Sequence, residues 1–495
     1  MLSLILLQAV LLVTTALAQN LIVPGASWKD TSGTVIQAHG AGILKVGSTF
    51  YWFGEDKVLN SALFHAVSCY TSTDLVQWTR QNDALSPIAG TMISTSNVVE
   101  RPKVIFNKKN SEYVMWFHSD TSNYGAAMVG VATAKTPCGP YTYKGSFKPL
   151  GADSRDESIF QDDDAAQTAY LLYASDNNQN FKITQLDTNY YNVTTQVSVM
   201  DGACPDVRAY RGSKRGGATY TCALLIGATL EAPGIVKRNG VYFLIASHTS
   251  GWAPNPNKFF SASSLAGPWS SQQDIAPSAT RTYFSQNAFD LPLGSNAIYM
   301  GDRWRPDVLG SSTYIWYPLD FSSGAPTIVH ADVWSVDIAA GTYTVASGTS
   351  YEAEHGTLGG SSRLLSSSSF SGGEAVGYLG HGGTVTISNV QSSGGAHWVA
   401  LYYANGDSTW RNVTVSVNGG PTVLVDQPDT GGGNVILSMP VQLTLNSGSN
   451  SLTFGSVQST TPPPRPPLKQ PLKLELTHPA PSADYAGDLD KIIVY

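Results

Sequence analysis

Three carboxylates stand at matching places along this 495-residue chain: Glu100 in Val99-Glu100-Arg101-Pro102, Asp156 in Arg155-Asp156-Glu157-Ser158, and Glu231 in Leu230-Glu231-Ala232-Pro233-Gly234. Each comes just ahead of a short apolar run. Beside Leu230 and Ala232, a Glu has surroundings that lift a carboxyl pKa toward what a general acid needs. Taken singly, each reads equally well as a solvated loop carboxylate. Brought together they would repel one another, a cost that function justifies and that raises at least one pKa. Acids facing each other across a sugar ring are the equipment of glycoside hydrolysis. Tyr124 and Trp252 lie in similar loops; their rings would stack on a sugar or pack in the core.

The elements that must position these groups form a repeat. Gly42-Ile43-Leu44-Lys45-Val46-Gly47-Ser48-Thr49-Phe50-Tyr51-Trp52-Phe53-Gly54 reads as strand, turn, aromatic strand. The same pattern returns at 102–117, at 158–173, at 235–244 around an Asn239-Gly240 hairpin signal, and in weaker form at 287–300. Two copies trail an element ending in Trp78 or Trp269. Five such units predict an all-β five-bladed propeller. Polar residues ahead of each innermost strand then converge on the axis: His39, Glu100 with Arg101, Asp156 with Glu157, Glu231, and Gln286 with Asn287.

The spacing of Tyr51, Tyr113, Tyr170 and Tyr242 is longest in its third interval. The excess, residues 203–226, is basic and aperiodic. It is either a surface insertion closed by a Cys204–Cys222 disulfide or translated intron. The other two cysteines, Cys69 and Cys138, read as a disulfide or as buried thiols. Residues 1–18 form an apolar leader ending Ala16-Leu17-Ala18, expected to be a signal peptide of a secreted protein. Sequons at Asn192 and Asn412 fit a glycoprotein. A net charge of −7 without a basic stripe argues against nucleic-acid partners, and no later stretch is long enough to span a membrane.

The propeller is expected over 19–340, followed by a polar bridge at 341–350 and a second domain at 351–495. The second domain is Gly- and Ser-rich, with alternating strands such as Asn412-Val413-Thr414-Val415-Ser416-Val417, the patterning of a β-sandwich of the jelly-roll kind. Residues 460–481 carry Pro462-Pro463-Pro464-Arg465-Pro466-Pro467, which cannot join a sheet ladder.

Arg155-Asp156-Glu157-Ser158-Ile159-Phe160-Gln161-Asp162-Asp163-Asp164 and Leu230-Glu231-Ala232-Pro233-Gly234 resemble the third- and fourth-blade motifs of glycoside hydrolase family 43, five-bladed propellers that invert at the anomeric carbon. The likeness is to its exo-β-1,3-galactanases. It implies that Glu231 is the general acid and that Asp156 tunes and orients it. Most of the family places a base Asp before the first blade; here Gln37-Ala38-His39-Gly40-Ala41-Gly42 has no carboxylate. The galactanase branch shares that absence and uses a Gln at the place of Gln286, either to position the attacking water or to relay a proton as its imidic tautomer. Glu100 is the competing base. By the same resemblance Glu100 and Glu55 bind substrate hydroxyls, and Tyr124 and Asn178 are further sugar contacts.

The second domain resembles carbohydrate-binding modules of family 35 through Tyr351-Glu352-Ala353-Glu354 and Asp488-Leu489-Asp490-Lys491-Ile492. Acids at alternate strand positions point to one side and offer hard oxygens, so Glu352, Glu354 and Asp490 are candidate Ca²⁺ ligands. The resemblance implies a galactose site of Tyr378, Arg411, Asn434, Tyr485 and Asp488. The expected activity is exo-hydrolysis of β-1,3-galactan, the arabinogalactan backbone, by a monomer without an organic cofactor. A related arabinofuranosidase or β-xylosidase, or a galactan-binding protein without catalysis, are the alternatives.

Overall fold

A computed structural model describes residues 21–201, 229–455 and 485–495, together with the backbone of a short strand, Cys222–Leu224. Five antiparallel sheets follow one another in sequence, each with its strands in simple order from the inside outward. Their innermost strands are His39–Val46, Asn97–Asn107, Glu157–Gln161, Leu230–Arg238 and Gln286–Leu293. Each lies against the innermost strand of the next sheet, and the fifth lies against the first, so the ring closes as a five-bladed propeller. Ile22 closes it chemically as well, by pairing with Trp334 after the last blade. Cys222–Leu224 adds a parallel fifth strand to the rim of blade three.

The aromatic strands pack between blades because alternate residues of a strand face opposite sides. Trp52, Trp78, Trp316 and Trp334 are all buried in one cluster between blades one and five, with Trp28 and Tyr314 against them. Cys69 and Cys138 are joined in a disulfide linking blade one to the turn after the third strand of blade two. The Cys204–Cys222 pairing, most of the 203–226 segment and the 460–481 segment lie outside the described residues.

A recurrent irregularity aims the axial side chains. The register of the innermost strand slips just after His39, after Glu100 and after Glu231. The residue following each of these is left-handed: Gly40 (φ 59°), Arg101 (φ 54°) and Ala232 (φ 54°). Such bulges bend a strand and re-aim a side chain. Blade five slips between Asn287 and Phe289.

The bridge expected at 341–350 is largely strand. Thr342–Val345 pairs with Trp334–Asp337, and Thr349–Glu352 already belongs to the second domain, pairing with Asp488–Val494. The polar sequence suggested a linker because hairpin residues on an exposed edge need no apolar face. The second domain is an antiparallel sheet that curls on itself into a sandwich. Two long strands, Thr384–Ala404 and Leu437–Phe454, run side by side through it around a core of Val399, Leu401, Tyr403, Leu452 and Phe454. No helix among the described residues is long and apolar enough to cross a membrane.

Candidate active site

At the axial end of the propeller the strand starts surround a cavity of about 300 Å³. Its walls include Glu55, Glu100, Tyr124, Asp156, Asn178, Glu231 and Gln286, so every propeller residue singled out in the sequence for catalysis or sugar contact meets there. Trp252 lines it too, and with Trp304 forms an aromatic wall, their rings 4.8 Å apart. His39, Glu157 and Asn287 do not line it. His39 is buried with Nδ1 3.0 Å from Asp302 and its ring stacked on Tyr314. Glu157 is fully buried, with neither carboxylate oxygen partnered among the described residues. Asn287 holds the Ala232 carbonyl and Asp290.

Arg101 is the hub. Its guanidinium pairs with Asp156 at 2.5 Å through Nε, donates to Gln286 Oε1 at 2.7 Å and to the Asn287 carbonyl at 3.1 Å. Its own N–H donates to Glu55 Oε1 at 2.9 Å, and Glu55 in turn pairs with Lys57 at 2.7 Å. Four blades are therefore tied through one side chain and its backbone. The sequence pointed to Arg101 only as a neighbour of Glu100; its left-handed backbone, which turns it across the axis, leaves no signal in residue type.

Glu231 is buried, and that burial, reinforced by the charge of Asp156 and only partly offset by Arg101, pushes its pKa up to about 8. It is thus a protonated acid at neutral pH. Glu100 goes the other way. Burial would raise its pKa, but a hydrogen bond from His118, the charge of Lys57 and the Tyr124 hydroxyl (2.8 Å) outweigh burial and hold it below the usual range. His118 lies between Glu100 (3.2 Å from Nδ1) and Asp120 (3.0 Å from Nε2); burial disfavours its charge, but the two carboxylates win and carry its pKa up to about 10. Glu100, His118 and Asp156 bring three ligand atoms within 4.8 Å of one another. Both His118 nitrogens face carboxylates, which an imidazolium with two N–H donors satisfies, leaving no lone pair for a metal. His118 and Trp304 were not singled out in the sequence. His118 faces Glu100 across the first two strands of its blade as Ser247 faces Glu231, and that equivalence is the signal that finds it. In blade five that place is taken by Asp302, opposite Gln286, and Trp304 lies just past the end of the strand Asn296–Arg303, where the repeat gives no signal.

The amide of Gln286 is fully used. Oε1 accepts from Arg101 and from Trp304 Nε1 (2.9 Å), while Nε2 donates to Glu231 Oε1 (2.9 Å) and Ser247 Oγ (3.1 Å). Arg101 and Trp304 can only donate, so the oxygen must face them and the amide orientation is fixed. The same two donors oppose a proton on Oε1, and hence the imidic tautomer.

In the second domain the rings of Tyr378 and Tyr485 lie 5.5 Å apart, edge to face. Arg411 donates to the carbonyl of Ala486, next to Tyr485, and pairs with Asp407. Asp488, its pKa pushed up to about 6 chiefly by burial, feels the charge of Arg411. Asn434 Oδ1 accepts from the Ser367 hydroxyl (3.1 Å). Glu352, Glu354 and Asp490 face a common turn. Ser371 donates to Glu352 Oε1 (3.0 Å) and, through its N–H, to Asp490 Oδ1 (2.7 Å), while Glu352 Oε2 and Glu354 Oε2 are buried without partners among the described residues. Burial, with mutual repulsion added, raises the pKa values of Glu354 and Asp490, the latter to about 6. Orphaned hard oxygens of this kind fit a divalent cation such as Ca²⁺, although the three are spread more widely than the Glu100, His118 and Asp156 group.

A buried, protonated Glu sharing a cavity at the mouth of a propeller with Glu100, whose carboxylate is held ionised, is the apparatus of a glycoside hydrolase. The model of glycosyl hydrolases family 43 matches residues 36–289. No curated protein sequence matches. Among solved structures, the exo-β-1,3-galactanase of Phanerochaete chrysosporium, in a variant with β-1,3-galactotriose, is 76% identical over 96% of this chain and 100% of its own, with a TM-score of 0.85. The same enzyme with galactose gives 77% identity, the same coverage and 0.85. An exo-β-1,3-galactanase from Clostridium thermocellum is 30% identical over 84% of this chain and 88% of its own, with a TM-score of 0.59. The chain belongs to glycosyl hydrolases family 43.

Proposed function

We propose that this protein is a secreted, inverting exo-hydrolase of the β-1,3-galactan backbone of arabinogalactan, releasing galactose. The observation that carries the reading is Glu231, protonated in a sugar-sized cavity beside Asp156 and Gln286. The relative at 76% identity with β-1,3-galactotriose supplies the substrate class. Glu231 gives its proton to the departing glycosidic oxygen. In doing so it turns from Gln286 to the substrate, which frees one amide hydrogen. That hydrogen holds the water that attacks the anomeric carbon from the opposite face, and the Glu100 carboxylate, ionised beside His118, takes the water's proton. Glu55, Tyr124 and Asn178 bind hydroxyls.

The second domain is read as a galactose-binding module that keeps the enzyme on the polymer and raises its local concentration. Tyr378, Arg411, Asn434, Tyr485 and Asp488 form its grip, and Ca²⁺ on Glu352, Glu354 and Asp490 fixes its fold. Asn192 and Asn412 are exposed, as glycosylation requires.

The test is proton NMR of freshly mixed enzyme and β-1,3-galactan. The reading expects galactose whose first-formed anomer is α. A β first product rejects inversion. No galactose from galactan, with turnover of a nitrophenyl arabinofuranoside or xyloside, assigns the chain to another activity of the family.

A further inference from the structure

We propose that the C-terminal domain has a second role besides sugar binding: seated on the propeller, it holds Gln286 and Trp304 in register, and Trp410 and Asp426 are positioning residues for the active site. The inference rests on the role given to Gln286 above.

The chain reaches Gln286 through an unusual turn. Arg281, Thr282, Tyr283 and Phe284 are all left-handed, with φ of 50°, 56°, 54° and 57°. None is a glycine. L-residues visit this region singly, and a β-branched Thr least readily. Four in succession persist only where the surroundings over-determine them. The propeller holds one side: Thr282 Oγ1 accepts from the N–H of Asn257 (2.7 Å) and donates to the carbonyl of Asn255 (3.1 Å). The C-terminal domain holds the other. Arg281 pairs with Asp429 at 2.7 Å and donates to its carbonyl at 2.6 Å. Phe284 is buried within that domain's core, edge-on to Trp410 with ring centres 5.6 Å apart. Two residues later comes Gln286.

The second segment gripped by the domain carries Trp304, which donates to Gln286 Oε1. Both of its neighbours bind across the interface. Arg303 reaches Met439 Sδ at 2.8 Å and also the Tyr283 carbonyl at 2.9 Å. Arg305 pairs with Asp426 and lies over the Trp410 ring, 4.9 Å from its centre. Trp410 therefore touches both segments, one leading to Gln286 and the other holding the donor to its amide oxygen. A domain that served only as a tether would need no such contacts beside the catalytic amide.

The experiment uses the full chain with Trp410→Ala and Trp410→Phe, and β-1,3-galactobiose, a substrate too short to gain from polymer binding. For Trp410→Ala the expected result is a kcat at least tenfold lower with KM within twofold, and Trp410→Phe, which keeps a ring between Phe284 and Arg305, restores most of it. A Trp410→Ala protein that melts cooperatively and keeps kcat within twofold overturns the inference. If Trp410→Ala does not fold, Asp426→Asn takes its place, expected to lower kcat at least threefold; unchanged kcat overturns the inference. Hydrogen exchange at the backbone amides of residues 284–287 and 303–305 reads the same positioning without turnover. Faster exchange in the folded variant is expected, and unchanged exchange contradicts it. Wild-type protein inert on galactobiose counts against the proposed function instead, and the exchange measurement then decides the inference by itself.

Discussion

Glu231 is an acid rather than a carboxylate at neutral pH because burial, and then Asp156, disfavour its charge more than Arg101 favours it. Activity that needs its proton is therefore present below about pH 8 and is lost as pH rises through that value. Asp156→Asn removes the repelling charge and leaves Arg101 uncompensated. The alkaline limb of kcat/KM should move down by about one pH unit, the lower end of what a neighbouring charge does; a limb that stays in place or rises contradicts the assignment of Asp156. For the water, Gln286→Ala should cost roughly 10²-fold in kcat on galactobiose. If Gln286→Ala keeps full rate while Glu100→Gln loses that much, Glu100 alone carries the base role. At this scale the acids were legible in the sequence because Glu100, Asp156 and Glu231 recur at the start of the inner strand in the second, third and fourth repeats. Arg101 was not, since its reach to Asp156, Gln286 and Asn287 comes from a backbone sign change at a residue of ordinary type.

At the level of elements, the bulges do the aiming. Ala232 pays the left-handed penalty so that Glu231 can turn into the cavity. Ala232→Gly should leave urea stability within ~1 kcal/mol, because strain relief and lost chain restriction offset one another. Ala232→Val, β-branched at positive φ, should cost roughly 2 kcal/mol or more and lower turnover with it. Equal stability for the two would show that the bulge is soft and does not place the acid. The repeat of strand, turn and aromatic strand was readable because alternation and Asn-Gly or Gly-Ser turns are local signals. The slips in register were not, since a bulge is decided by what each strand meets across the axis. The pairing of Cys69 with Cys138 was open for the same reason, two distant segments being joined by blade packing.

Across the whole molecule, the sequence separates two domains by composition, and the structure packs them through Arg281, Phe284, Arg303, Arg305 and Asp332. Asp332 accepts from Tyr402 (2.7 Å), Tyr495 (2.9 Å) and Ser438 (2.5 Å) of the second domain. That interface was invisible from sequence because its residues belong to neither periodic pattern. Calcium gives a test at the same scale. A cation bound only by the folded C-terminal domain stabilises it by mass action. EDTA should lower its melting temperature by on the order of several degrees, and excess Ca²⁺ should restore it; Glu354→Gln should abolish the difference. A melting temperature indifferent to both additions removes the cation from the account.

The claim on which the others depend is proton donation by Glu231, and leaving-group chemistry isolates it. β-Galactosyl fluoride departs without protonation, whereas β-1,3-galactobiose does not. Glu231→Gln should lose on the order of 10²- to 10⁴-fold in kcat on galactobiose, the range of acid catalysis, yet stay within about tenfold of wild type on the fluoride. Equal losses on both substrates, or full activity on galactobiose, would contradict the account.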